Sequence, residues 1–130
     1  MADATVSLNT NLNVVQLPLG GSFFTVGAYS ANWSTVGEVV AAVTGSTHYI
    51  TKILIRSAVT CTVSLGSGTG SDAITTLQMG PIPMNAGSGV FPWKAPDGYG
   101  MKLTASTELA LETIESAPLW IYVEGRTYLG

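Results

Sequence analysis

Charge is what this sequence has least of. Asp, Glu, Lys and Arg make up only 10% of its 130 residues, against about 25% in an ordinary soluble domain. The cations number five, Lys52, Arg56, Lys94, Lys102 and Arg126, and the net charge is −3. A stripe able to neutralise several phosphates is missing, which excludes a nucleic-acid partner. Long apolar runs are missing too. Runs such as Val39 to Val43 and Ile53 to Ile55 fall far short of the ~20 residues of a spanning helix, so a helical membrane protein is excluded and no membrane partner is expected. One cysteine, Cys61, rules out an internal disulfide and leaves stability to packing or to association with other copies. Folding in a reducing cytoplasm is compatible with that. The opening Met-Ala-Asp-Ala-Thr-Val-Ser lacks a basic segment followed by an apolar stretch, so no secretory signal is expected.

What is present is apolar and β-forming. The hydrophobic share is 46% and the mean hydropathy +0.36, which excludes a chain disordered by high charge and low hydropathy. The length is that of one domain. Val, Ile, Thr and aromatic residues alternate with polar ones between Gly, Pro and Ser punctuation, the signature of short strands. In residues 48–57, Tyr49, Thr51, Ile53 and Ile55 alternate with Ile50, Lys52, Leu54 and Arg56. In residues 61–65, Cys61, Val63 and Leu65 share a face, and a Gly/Ser loop is expected over 66–71. Residues 73–79 read as a strand that stops at Gly80-Pro81-Ile82-Pro83, because proline cannot donate to a ladder. Strands are also expected over 90–94, 101–105 and 109–114, the last with Leu109 and Leu111 inward and Glu108 and Glu112 outward. Ala95-Pro96-Asp97-Gly98 reads as a tight turn whose first dihedral is set by the proline. The final strand is the clearest, with Leu119, Ile121 and Val123 alternating with Trp120, Tyr122 and Glu124.

Residues 1–47 differ in texture, with Asp3 and Glu38 as their only charges. They read as an N-terminal arm with the first strands, either completing the sandwich or covering a neighbouring subunit, ahead of a core over 48–130. Apolar segments without charged gatekeepers tend to pair with something. The whole is expected to be one compact all-β domain: an antiparallel β-sandwich, jelly-roll-like, with an extended N-terminal segment and an up-and-down barrel as the alternative.

Catalytic signals are weak, and the chain is read as a non-enzyme. Its single histidine, His48, is read as a rim residue. A Ser-His-Asp arrangement using Asp72 or Asp97 has no Gly-x-Ser-x-Gly elbow to support it. No metal-ligand spacing is present, and Cys61 reads as a small buried hydrophobe. Glu108, Glu112, Glu115 and Glu124 offer no distinguished pair for glycoside hydrolysis. The glycine loop at 66–71 lacks the Gly-Lys-Ser/Thr ending of a phosphate loop, so no cofactor is expected. Asn32-Trp33-Ser34 matches a glycosylation acceptor, a match of little weight without a signal peptide.

The aromatics remain. Trp93, Tyr99, Trp120 and Tyr122 would serve as a platform for sugar rings or as subunit-interface residues. Interface is preferred for Trp120 and Tyr122, since both faces of their strand are apolar and both need cover. The runs His48-Tyr49-Ile50-Thr51-Lys52-Ile53, Thr62-Val63-Ser64-Leu65-Gly66 and Gly89-Val90-Phe91-Pro92-Trp93, with Leu109-Ala110-Leu111 before Trp120-Ile121-Tyr122-Val123, resemble small β-sandwich structural proteins of tailed bacteriophages. This resemblance spans about residues 48–128. It implies a virion protein made in the host cytoplasm, of the capsid decoration (cement) type: a symmetric trimer on the outer capsid surface that bridges major capsid subunits. Phe23, Phe24, Trp33, Trp93, Trp120 and Tyr122 are the expected subunit or capsid contacts. A host-glycan-binding or head, neck or tail fibre module is the alternative.

Overall fold

Alternating β-branched and aromatic residues build strands throughout the computed structural model, which describes residues 13–30, 37–68, 74–85, 90–113 and 118–129. The strands are β1 (Val14–Gln16), β2 (Ser22–Ser30), β3 (Gly37–Val40), β4 (Ser46–Ser57), β5 (Cys61–Gly68), β6 (Ile74–Met84), β7 (Val90–Lys94), β8 (Tyr99–Lys102), β9 (Glu108–Thr113) and β10 (Leu119–Leu129). They form two packed antiparallel sheets, an all-β arrangement. The six-stranded sheet runs β1-β8-β4-β10-β2, with β7 also on β4, and the four-stranded sheet runs β3-β9-β5-β6. Residues 13–47 thus supply strands to both sheets, and β4 begins at Ser46, so residue 48 marks no structural boundary. No helix among the described residues is long and apolar enough to cross a membrane.

The core lies between the sheets. Ile53 and Ile55 of β4 and Leu119, Ile121 and Val123 of β10 face Val63 and Leu65 of β5 and Leu109 and Leu111 of β9, with Met79, Ile82 and Met84 of β6 beside them. Cys61 is buried as a small apolar residue, its Sγ 3.4 Å from Ser57 Oγ.

Several strands depart from simple alternation. Tyr49 and Thr51 do not share the inward face of Ile53 and Ile55; Ile50 is the fully buried residue. The cause is a bulge. Lys52 pairs with Glu124 and Ile50 with Gly125, which leaves Thr51 as an extra residue and reverses the facing of everything before it. Thr51 Oγ1 donates to the Glu124 carbonyl at 3.2 Å.

The strand expected to stop at Gly80-Pro81 instead continues through Pro81 and Pro83 to Met84. β6 lies at the edge of its sheet, where one row of backbone groups is not needed for pairing, so proline is tolerated. Likewise β5 continues through Gly66 to Gly68 instead of opening into a loop at 66. Of the strand expected over 101–105 only residues 101 and 102 are extended, at the end of β8, which begins at Tyr99. In the turn at 96–99, the Tyr99 N–H donates to the Pro96 carbonyl at 2.9 Å. Pro96 therefore precedes the two central residues, and Gly98 takes the positive φ of 84°, the position that favours glycine.

Two polar residues are also placed differently. Glu108 is buried, not outward. β9 is an interior strand between β3 and β5, and near its start both faces are covered; the Oε2 of Glu108 has no hydrogen-bond partner among the described residues. His48 is buried rather than on a rim. Its Nε2 donates to the Ala41 carbonyl at 2.8 Å, and its Nδ1 lies 2.8 Å from Thr127 Oγ1. With both ring nitrogens engaged, this histidine ties β4 to β10 and to the segment after β3.

Candidate functional site

On β10 the inward residues are buried, while Trp120, Tyr122 and Glu124 point to the outer face of the six-stranded sheet. The neighbours on that face follow from register. Trp120 stands between Arg56 of β4 and Tyr29 of β2, Tyr122 between Leu54 and Gly27, and Glu124 between Lys52 and Thr25. The face is therefore laid out in cross-strand rows, each drawing residues from three distant parts of the chain.

In the first row the Tyr29 and Trp120 rings lie 4.6 Å apart between centroids at 33°. The Arg56 guanidinium carbon sits 5.2 Å from the Trp120 centroid, close enough for a cation–π contact. In the second row Gly27 contributes no side chain. The gap becomes the floor of a groove of about 490 Å³, walled by Tyr29, Leu54, Arg56, Val90, Trp120 and Tyr122. Tyr29 is 52% exposed, Val90 51% and Trp120 39%. Tyr29, Val90 and Trp120 thus stand exposed and adjacent around the groove. Arg56 makes no ion pair among the described residues, where the one observed is Lys94–Asp97 at 3.8 Å.

Beside the groove, Tyr122 Oη donates to Glu124 Oε2 at 2.7 Å. That hydrogen bond, then loss of solvent and the Glu124 charge, raise the phenol above its ordinary pKa of 10.0. Because the folded value lies above the unfolded one, this contact stabilises the fold fully below pH 10.0 and is lost as pH rises through the folded value. Glu124→Gln should lower the Tyr122 midpoint, followed by tyrosinate absorbance. A midpoint that does not move would remove Glu124 as the cause.

The structure places the expected contact residues in two groups. Phe23, Trp120 and Tyr122 lie on the outer face, and Phe23 is 58% exposed with the Arg126 guanidinium carbon 5.9 Å from its ring centroid. Phe24 and Trp93 instead pack against the core, Phe24 edge-on to His48 at 5.5 Å. Phe23 and Phe24 are consecutive in a strand and must point to opposite faces. Trp33, Asp72, Glu115 and Asn32-Trp33-Ser34 lie outside the described residues.

Tyr29, Arg56, Val90 and Leu54 were not singled out by the sequence. The alternation Phe23, Thr25, Gly27, Tyr29 was legible as one face, but nothing local says that this face meets Trp120. Among the described residues no group of three or more His, Cys, Asp or Glu is arranged to hold a metal. The sequence matches no protein-family model and no curated protein.

Proposed function

We propose that this chain is a bacteriophage virion structural protein, a capsid decoration (cement) protein of jelly-roll-like fold that self-associates on the outer capsid surface and bridges major capsid subunits. The observation that supports the reading most is the open aromatic groove on the six-stranded sheet, on the face not used for the protein's own core. A flat row of exposed aromatic and aliphatic side chains with one arginine has the composition of an interface centre, where Trp, Tyr and Arg carry most of the binding energy. Few charges also make such contacts less dependent on salt. The bland chemistry of the rest of the molecule fits a structural role, since its one histidine is tied into the sandwich.

A host-glycan module has less support. Trp120 already has the Tyr29 ring and the Arg56 guanidinium as partners, and Trp93 packs inward.

The test is to add the purified protein to expanded capsids stripped of it. Saturable binding and greater resistance of the capsids to disassembly are expected. Trp120→Ala should weaken binding by about tenfold or more, the scale of a central anchor, while leaving the circular dichroism spectrum intact. A protein with no affinity for such capsids is not a decoration protein, and glycan-array binding lost on Trp120→Ala would favour the other reading.

A further inference from the structure

Every open sheet has edges, and folded proteins blunt them with short length, charge, proline or bulges. Among the described residues there are five edge strands, and four of them are blunted in that way. β1 has three residues, β3 has four with Glu38 among them, β6 carries Pro81 and Pro83, and β7 carries Pro92 and Lys94. The remaining edge, β2, has none of these devices. Its nine residues, Ser22–Ser30, include no charge and no proline, and pair with β10 without a bulge. Among the described residues no strand pairs with its far side.

We infer that β2 is a self-pairing edge, joining two copies of this chain antiparallel about a two-fold axis at Val26. The outer-face residues select this register. A two-fold axis at Val26 matches all nine residues, from Ser22 opposite Ser30 to Ser30 opposite Ser22. It sets Phe23 against Tyr29 of the second copy, and Thr25 against its Gly27. The two exposed aromatics of the strand thereby become cross-strand partners, a stabilising pair in a sheet, and the small residues face one another between them.

Because the axis is perpendicular to the sheet, the outer face of one copy continues into that of the other. The row Arg56–Trp120–Tyr29 extends through Phe23 and Arg126 of the second copy, with an arginine over an aromatic ring at each end. The inner face remains continuous as well, since Phe24, Val26 and Ala28 all turn toward the core. Such a contact is isologous and joins copies two at a time. A closed ring of three single copies cannot use it, whereas a trimer of pairs can. The inference does not depend on what the protein decorates.

Two pairs of substitutions test both pairing and register. Phe23→Glu with Tyr29→Glu sets like charges opposite each other twice in the dimer; Phe23→Glu with Tyr29→Lys sets opposite charges there. Both positions are exposed, and the doubles alter the same two sites, so each controls for the folding of the other. By sedimentation, the wild-type chain is expected to form a dimer or another even-numbered assembly. The Glu/Glu double should dissociate at least about tenfold more readily than the Glu/Lys double, from two cross-strand charge pairs. A wild type that stays monomeric or closes at three copies overturns the proposal, as do equal dissociation constants for the two doubles. Sedimentation of the protein alone reads self-association without any capsid, so the two proposals fail separately.

Discussion

Leu65→Ala is expected to lower the unfolding free energy by about 2–5 kcal/mol, the cost of truncating a fully buried leucine. Leu65 has no solvent exposure and sits on β5, the interior strand flanked by β9 and β6. Its register partners are Leu111 and Met79, both fully buried. Hydrogen bonding on both sides of β5 stops the backbone from collapsing into the space left behind. The loss is then the transfer energy of the removed carbons together with that of an unfilled cavity. Leu54→Ala removes the same atoms from the outer face, where the side chain is only partly buried, and should cost about 1 kcal/mol. Urea denaturation of the two variants distinguishes the positions as a shift of midpoint at constant slope. Equal losses would mean that Leu65 is not held in a rigid core.

The second large effect is expected at Gly125. A β-carbon there would lie 2.5 Å from the Tyr49 carbonyl oxygen and 2.6 Å from Phe24 Cζ. The crowding arises at the bulge, where the extra residue Thr51 on β4 brings the Tyr49 backbone close against β10. One obstacle is backbone, which cannot swing aside. The other is a ring packed on the core beside His48. Gly125→Ala should therefore destabilise by about 2–3 kcal/mol through overpacking. Gly27→Ala supplies the contrast, because a β-carbon at Gly27 meets nothing within 4 Å. That change should be neutral or stabilise by up to about 1 kcal/mol, since glycine within a strand carries an entropic cost. Thermal melts of the two variants should move in opposite directions or differ by several degrees. A tolerated Gly125→Ala would show that the bulge can relax.

The strand content was legible because period-two alternation is a local property. β10 is the plainest case: Leu119, Ile121 and Val123 are buried, and Trp120 and Tyr122 turn outward as their spacing indicates. Legibility failed wherever a neighbour decided the outcome. Thr51 has nothing in its sequence to mark it as the extra residue of a bulge, since the shift exists only relative to Glu124 and Gly125. Pro81 and Pro83 argue against a strand until β6 is known to be an edge. Glu108 looks solvent-facing by alternation, yet it begins an interior strand covered on both faces. His48 looks peripheral until Ala41 and Thr127 close on its ring.

By itself the sequence determined that this chain is all-β, that its cations are few and scattered, and that Trp120 and Tyr122 share a face. Those follow from composition and from the alternation of side chains along one strand, which any short window contains. The tertiary structure alone decided that β4, β10 and β2 are neighbours, and so that Arg56, Trp120 and Tyr29 form one row beside the gap left by Gly27. It also decided that β2 is an edge strand among the described residues. The physical reason is that strand order and register are set by hydrogen bonds between distant segments. Period-two patterning fixes which way a side chain points but carries no information about which strand lies beside it.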